Sequence, residues 1–206
     1  MLNIMKPNIF IIGDTKCGKT TLAKKIAEKL NFKHISASQI IRDGFTGNKE
    51  SPAFTKEITD YSIEKLKLNP NYIINDLAKK HIGLGGFVIE GCRNPRDFSS
   101  LFSYNDDYVI SITNYSASDP QPFEKYGLIA IRAIIDFYEK TTLLNSNNIF
   151  RIVMAYVDGP SYSCHSDKAN EFPIPNTNET FLWNMDDVSN YILNNQTILS
   201  LGDKWK

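Results

Sequence analysis

Residues 13–20 read Gly-Asp-Thr-Lys-Cys-Gly-Lys-Thr and follow directly on the apolar run Ile9-Phe10-Ile11-Ile12. Beyond them, KTTLAKKIAEKL sets Leu22, Ala23, Ile26, Ala27 and Leu30 on one helical stripe. A buried strand, a glycine-rich turn and an amphipathic helix, in that order, constrain the fold more than any other stretch. The GxxxxGK[ST] pattern is complete. Gly13 and Gly18 let the backbone curl closely, so that successive N–H groups and the start of a helix can hold dense negative charge. In this pattern Lys19 reaches the β- and γ-phosphates of a nucleotide, and Thr20 gives its hydroxyl to Mg²⁺. The expected ligands are ATP and Mg²⁺, held by Gly13, Asp14, Thr15, Lys16, Cys17, Gly18, Lys19, Thr20 and Thr21. The Cys17 contribution is its backbone amide rather than its thiol.

The rest of the chain alternates strands with helices. FKHIS is a second strand, after Asn31 closes the first helix in a left-handed conformation. Ser51-Pro52 offers an N-cap and a first-turn proline before the face Phe54, Ile58, Tyr61 and Leu66. Asn69-Pro70 repeats the device before Ile73, Ile74, Leu77, Ala78 and Ile82, and Gly83, Gly85 and Gly86 end that helix. FVIE (87–90) is a third strand. A short helix from Asn94-Pro95 carries Phe98, Leu101 and Phe102, and DYVISI (107–112) is a fourth strand. Residues 113–126 read as loop, 127–140 as helix, IFRIVMAYV (149–157) as strand and 158–179 as a long irregular loop. TFLW is a short strand, and Val188, Tyr191 and Ile192 begin the last helix. The pattern predicts a three-layer α/β fold, a parallel sheet of about five strands with helices on both faces. IFRIVMAYV is either a core strand in place of TFLW or an added edge strand. Ligands of such sheets sit at the carboxyl edge of the strands.

A chain of 206 residues can form one α/β domain, and no linker-like stretch divides it, so 1–206 is read as one unit. The 23 basic and 23 acidic residues balance, which gives no global field for nucleic acid or an anionic membrane. Three scattered cysteines suit neither a disulfide framework nor a zinc site, and Cys164-His165 lacks further ligands nearby. The opening MLNIMKPNIFII lacks the apolar length and cleavage site of a signal peptide. No segment is apolar enough to cross a bilayer. A cytoplasmic protein acting on a small molecule, with no nucleic-acid or membrane partner, is expected, with its assembly state open.

Two further stretches carry a family resemblance. HISASQIIR (34–42) resembles the H-[IL]-S-T-G-D-x-[LI]-R segment of the adenylate kinase-like nucleoside monophosphate kinases. His34, Ile35, Ser36 and Arg42 match it, while Ala37, Ser38 and Gln39 replace Thr-Gly-Asp. FVIEGCRNPRDF (87–98) resembles the strand–D-G-x-x-R element of these kinases. It is similar also to the D-G-x-R-[SN]-P-x-[ED] element of dephospho-CoA kinase and phage deoxynucleotide kinases. The resemblance implies that Arg42 and Arg93 hold an acceptor phosphate, with Ser36 and Arg96 beside them. It also implies that Glu90 assists Mg²⁺, so that Lys19, Glu90 and Arg93 form the catalytic set and Thr20 and Glu90 the metal site. Residues 43–82 would then be a helical flap over the acceptor. The resemblance covers 8–98. Residues 113–180 do not follow it: 113–148 holds one arginine, Arg132, with Arg151 just beyond, where the kinases carry an arginine-rich lid. That stretch is an atypical lid or insert.

The residue types agree with this chemistry independently. Phosphoryl transfer is mainly positioning plus cations, and the arginine fork suits phosphate. Glu90 ends an apolar strand, where an unpaired carboxylate is costly. His34 reads as a packed strand residue rather than a base. Asp14 can pair with a lysine or influence the loop. Trp183 and Asn184 are either packing and a helix cap or a nucleotide-base contact. The expected activity is ATP-dependent transfer to a nucleoside or deoxynucleoside monophosphate. The alternatives are another small-molecule kinase of the dephospho-CoA kinase type, or a nucleotide-binding module without transfer. A polynucleotide 5′-kinase is a distant third.

Overall fold

The computed structural model describes residues 6–13, 17–50, 54–69, 85–92, 95–103, 106–116, 128–141, 143–156, 180–182 and 185–203. In chain order the elements are β1 (Ile9–Gly13), α1 (Lys19–Leu30), β2 (Lys33–Ser36), α2 (Ala37–Gly44), α3 (Phe54–Leu68), β3 (Phe87–Glu90) and α4 (Pro95–Leu101). There follow β4 (Tyr108–Ser116), α5 (Leu128–Lys140), a 3₁₀ turn (Ser146–Asn148), β5 (Ile149–Tyr156), β6 (Thr180–Leu182), α6 (Met185–Leu193) and α7 (Gln196–Asp203).

Among the described residues the sheet has six strands in the order β2-β3-β1-β4-β5-β6, and every pairing is parallel. This is the three-layer α/β class expected, with one strand more than the five or so anticipated. IFRIVMAYV and TFLW both join the sheet: β5 is an internal strand and β6 the edge. β4 is also longer than the 107–112 stretch, because Thr113 to Ser116 pair with Val153 to Tyr156 of β5. The last helix is two helices, broken at Asn194 and Asn195.

β1 is buried on both faces, as its unbroken apolar run requires. Ile9, Ile11, Val88 and Ile110 face Leu22, Ile26 and Leu30 of α1, with Val188 and Ile192 of α6 and Ile198 of α7. Phe10, Ile12, Ile89 and Val109 face Ile41 of α2, Phe98 and Leu101 of α4, and Ile131 and Ile135 of α5. Phe10, Phe98 and Phe102 form an aromatic trio with ring centroids 4.8–5.5 Å apart. Asn31 terminates α1 at φ 54, ψ 44, as expected.

The amino ends of the strands are tied together by buried polar groups. Asp107 accepts from the backbone N–H of Asn8 at 2.7 Å and of Ser103 at 2.9 Å, and the Asn8 side chain accepts from Phe87 N at 3.3 Å. The opposite, carboxyl edge is left for the site. The Ser51-Pro52 cap and the helix expected after Asn69-Pro70, up to Gly83, lie outside the described residues. So does the 158–179 loop with Cys164-His165.

Candidate active site

Gly13 ends β1 beside Ile112 of β4, its register partner. A Cβ on Gly13 would stand 2.4 Å from the Ile112 carbonyl oxygen, so the two strands approach this closely only because position 13 has no side chain. Gly18 opens α1 at φ 81, ψ 9, a left-handed conformation that glycine adopts without strain. Lys19 is buried, and its Nζ lies 3.5 Å from Cys17 Sγ, a contact no sequence signal announces. Thr21 is exposed on the first turn of α1. Asp14, Thr15 and Lys16 lie outside the described residues.

From the first turn of α1, Thr20 Oγ1 donates to Glu90 Oε1 at 3.1 Å. Glu90 is the buried last residue of β3, and the ladder sets it between Ile11 of β1 and Ser36 of β2. Strand alternation puts it on the same face as Val88, the face that α1 covers. His34 Nε2 stands 3.8 Å from the same Glu90 oxygen, buried and without a hydrogen bond. Burial lowers the His34 pKa, against the pull of Glu90, which raises it. The imidazole is therefore neutral at pH 7, and the contact is not an ion pair. Among the described residues no lysine or arginine pairs with Glu90.

A hydroxyl and a carboxylate oxygen this close are hard donors of the kind Mg²⁺ takes, with its other positions left to water and phosphate. Thr20 and Glu90 thus fit the ion. Among the described residues no group of three or more His, Cys, Asp or Glu could form a protein-only metal cage.

On the other side of Glu90, Ser36 caps α2, accepting from Gln39 N at 3.4 Å and bonding Ser38 Oγ at 2.9 Å. Arg42 lies exposed on the last turn of α2, and its guanidinium makes no hydrogen bond or ion pair with a described residue. Arg96 is exposed on α4, next to the buried Asp97. Arg93, Trp183 and Asn184 lie outside the described residues. Burial pushes the Asp97 carboxyl up to about 6 despite Arg96, and its Oδ1 has no partner. Burial, reinforced by Asp97 and Glu90, pushes the nearby Cys92 thiol up to about 12.

The structure therefore brings Lys19, Thr20, Glu90 and Ser36 to one sheet edge, with Arg42 and Arg96 on the helices that follow β2 and β3 there. The two later arginines are engaged within the fold. Arg132 donates from Nε to Ser111 Oγ and from Nη2 to the Ile112 carbonyl, both at 3.4 Å, which sets it over the middle of β4 beside Gly13. Arg151 is held by Asp136 at 2.8 Å and Glu139 at 2.6 Å.

Residues 16–112 match the family model described as an AAA domain. The adenylate kinase of Ruminiclostridium cellulolyticum is 33% identical over 87 residues, 40% of this chain and 39% of that one. The adenylate kinase of Kosmotoga olearia is 35% identical over 88 residues, 41% of this chain and 39% of that one.

Over about two fifths of its length the chain is similar to adenylate kinases.

A third adenylate kinase, from Encephalitozoon cuniculi, is 26% identical over 105 residues, 50% of this chain and 57% of that one. The chain thus spans about two fifths to three fifths of the length of these curated relatives. Among solved structures, dephospho-CoA kinase from Campylobacter jejuni aligns at 20% identity and a TM-score of 0.33, over 81% of this chain and 95% of that one. Shikimate kinase from Acinetobacter baumannii aligns at 15% and 0.37, over 82% of this chain and 91% of that one. The stretch matched by the AAA-domain model includes Lys19, Thr20, Ser36, Arg42, Glu90 and Arg96 and stops within β4. The last four residues of β4, then α5, β5, β6, α6 and α7, lie beyond it.

Proposed function

We propose that this chain transfers the γ-phosphoryl group of ATP to a small phosphorylated acceptor, a nucleoside or deoxynucleoside monophosphate. The observation that carries the reading is the Thr20–Glu90 pair: a hydroxyl at the start of α1 bonded to a buried carboxylate that lacks a cationic partner among the described residues. Such a carboxylate is explained by an ion that arrives with the nucleotide.

In this mechanism the glycine-rich loop 13–20 cradles the ATP phosphates with main-chain N–H groups. Lys19 swings from Cys17 to the β- and γ-phosphates. Thr20 and Glu90 orient the metal side. Negative charge growing on the transferring group is offset by Mg²⁺ when bound. Arg42 and Arg93 grip the acceptor phosphate, with Arg96 and Ser36 alongside. Residues 43–82 act as the flap that covers the acceptor and excludes water, so that the acceptor rather than water receives the phosphoryl group. The whole of 1–206 is read as one domain; within 113–180, where an atypical lid or insert is expected, Thr113–Ser116, α5 and β5 are part of the core fold.

A second reading, a nucleotide-binding module without transfer, is favoured by Arg151, whose guanidinium is already held by Asp136 and Glu139. Turnover decides between them. The purified chain is offered ATP–Mg²⁺ with a panel of nucleoside and deoxynucleoside monophosphates and dephospho-CoA, with Lys19→Ala as background. ADP formation with a monophosphate supports the proposal, and turnover with dephospho-CoA alone redirects the acceptor. ATP binding without ADP formation above background selects the second reading.

A further inference from the structure

α2 has two turns and weak ends. It spans 8 residues, and its N-cap bond from Ser36 is 3.4 Å long. Its C-cap, Phe45, is extended at φ −79, ψ 121, so the usual left-handed closure is missing. A helix of this length is marginal by itself, and its last carbonyls need partners. One partner comes from α3: the Tyr61 hydroxyl donates to the Gly44 carbonyl at 2.5 Å. The Tyr61 ring is held from two sides, edge-on by Phe45 at 5.5 Å and by Lys65 Nζ at 5.3 Å from its centroid. The turn that Tyr61 closes carries Arg42, whose own carbonyl accepts from Phe45 N at 3.3 Å.

We infer that Tyr61 is a positioning residue for acceptor binding: its hydroxyl orders the last turn of α2 and so presents Arg42 to the acceptor's phosphate. This rests on the reading of Arg42 as an acceptor-phosphate residue. Arg42 gains no rigidity from ion pairs with described residues, so the order of its backbone turn limits how much freedom an arriving anion must freeze out.

Tyr61→Phe removes the hydroxyl and keeps the ring between Phe45 and Lys65. In the full chain, AMP, GMP, CMP and UMP are titrated by calorimetry, and amide hydrogen exchange is followed over 37–45 and 19–30. One neutral hydrogen bond is worth a factor of about five, so the best-bound monophosphate should weaken by about fivefold. ATP affinity should stay unchanged. Exchange should quicken over 37–45 and stay the same over 19–30. In an Arg42→Ala background the Tyr61→Phe change should add no further loss of monophosphate affinity. Unchanged exchange over 37–45 overturns the inference, as does an equal loss with and without Arg42. Failure of the unmodified chain to bind any of the four monophosphates overturns it too. If the unmodified chain binds them but transfers nothing, the phosphotransfer reading falls and the Tyr61 assignment stands. If it transfers, and Tyr61→Phe leaves the acceptor KM alone, the assignment falls and the reading stands.

Discussion

Thr20 and Glu90, 70 positions apart in the chain, meet at 3.1 Å because β3 lies beside β1 and Glu90 faces the side that α1 covers. Neither residue is informative alone. Together they place a hard oxygen pair beside the glycine-rich loop, with Glu90 buried and no lysine or arginine paired to it among the described residues.

Glu90→Gln separates the two consequences of that pair. Removing a buried carboxylate that has no lysine or arginine partner among the described residues should leave the melting temperature unchanged or raise it. Turnover should fall about 10- to 100-fold, with more Mg²⁺ needed for half-maximal rate, as for loss of a metal-orienting group. Thermal melting and a Mg²⁺ titration of ADP release check both. Undiminished turnover removes Glu90 from the metal site.

Arg42→Lys keeps the charge and loses the planar fork. The acceptor KM should rise about tenfold while the ATP KM holds, since a paired phosphate contact becomes a single one. Steady-state kinetics with each substrate varied in turn give the answer. Equal changes in both KM values would contradict an acceptor role.

Gly13→Ala should destabilise the fold. Its Cβ would meet the Ile112 carbonyl at 2.4 Å and Cys17 Sγ at 3.1 Å, and the first neighbour is backbone. A cost of about 1–3 kcal/mol in urea unfolding is expected, with ATP affinity reduced as β1 and the loop move apart.

Asp97 and Asp107 both have carboxyls pushed up to about 6 by burial, yet their amide variants should move stability in opposite directions. A pKa raised above the ordinary 3.8 means that the folded state holds the proton more tightly. The associated stability is complete below about pH 4 and is lost as pH rises through 6. Asp97 Oδ1 has no partner, so Asp97→Asn should gain about 1–3 kcal/mol over the parent at pH 7.5 and little at pH 4. Asp107 accepts two backbone N–H groups, and an amide would turn an N–H toward one of them. Asp107→Asn should therefore lose about 1–3 kcal/mol at pH 4, and less at pH 7.5, where the parent has itself lost the stability linked to its raised pKa. Urea unfolding at the two pH values tests the contrast, and parallel behaviour of the two variants would refute it.

Much of this was legible beforehand where a local pattern fixes a local shape. The run Ile9–Ile12, the loop and the stripe Leu22–Leu30 could only be strand, turn and helix. α2 escaped notice because its N-cap, Ser36, is also the last residue of β2, which leaves no gap between strand and helix. β4 reaches Ser116 because β5 pairs with it along its whole length, a non-local cause that residues 113–116 do not carry themselves. The site residues were legible as types. The resemblance put Thr20 and Glu90 at one metal site, but their direct hydrogen bond and the His34–Glu90 contact were not legible, because they depend on β3 lying between β2 and β1. The Asn8–Asp107 clasp went unread, although each polar residue directly precedes an apolar strand.

Ser36, Glu90 and Ile11 occupy one row of the ladder, and rows of a sheet are counted in whole residues. One residue added to or removed from β3 would turn the carboxylate toward the α2 and α4 side, about 3.3 Å out of step, while most ladder hydrogen bonds could re-form. The gap between the glycine-rich loop and the serine opposite is thus digital: length variants along β3 would behave as all-or-nothing, whereas the loops beyond can drift by fractions of an ångström.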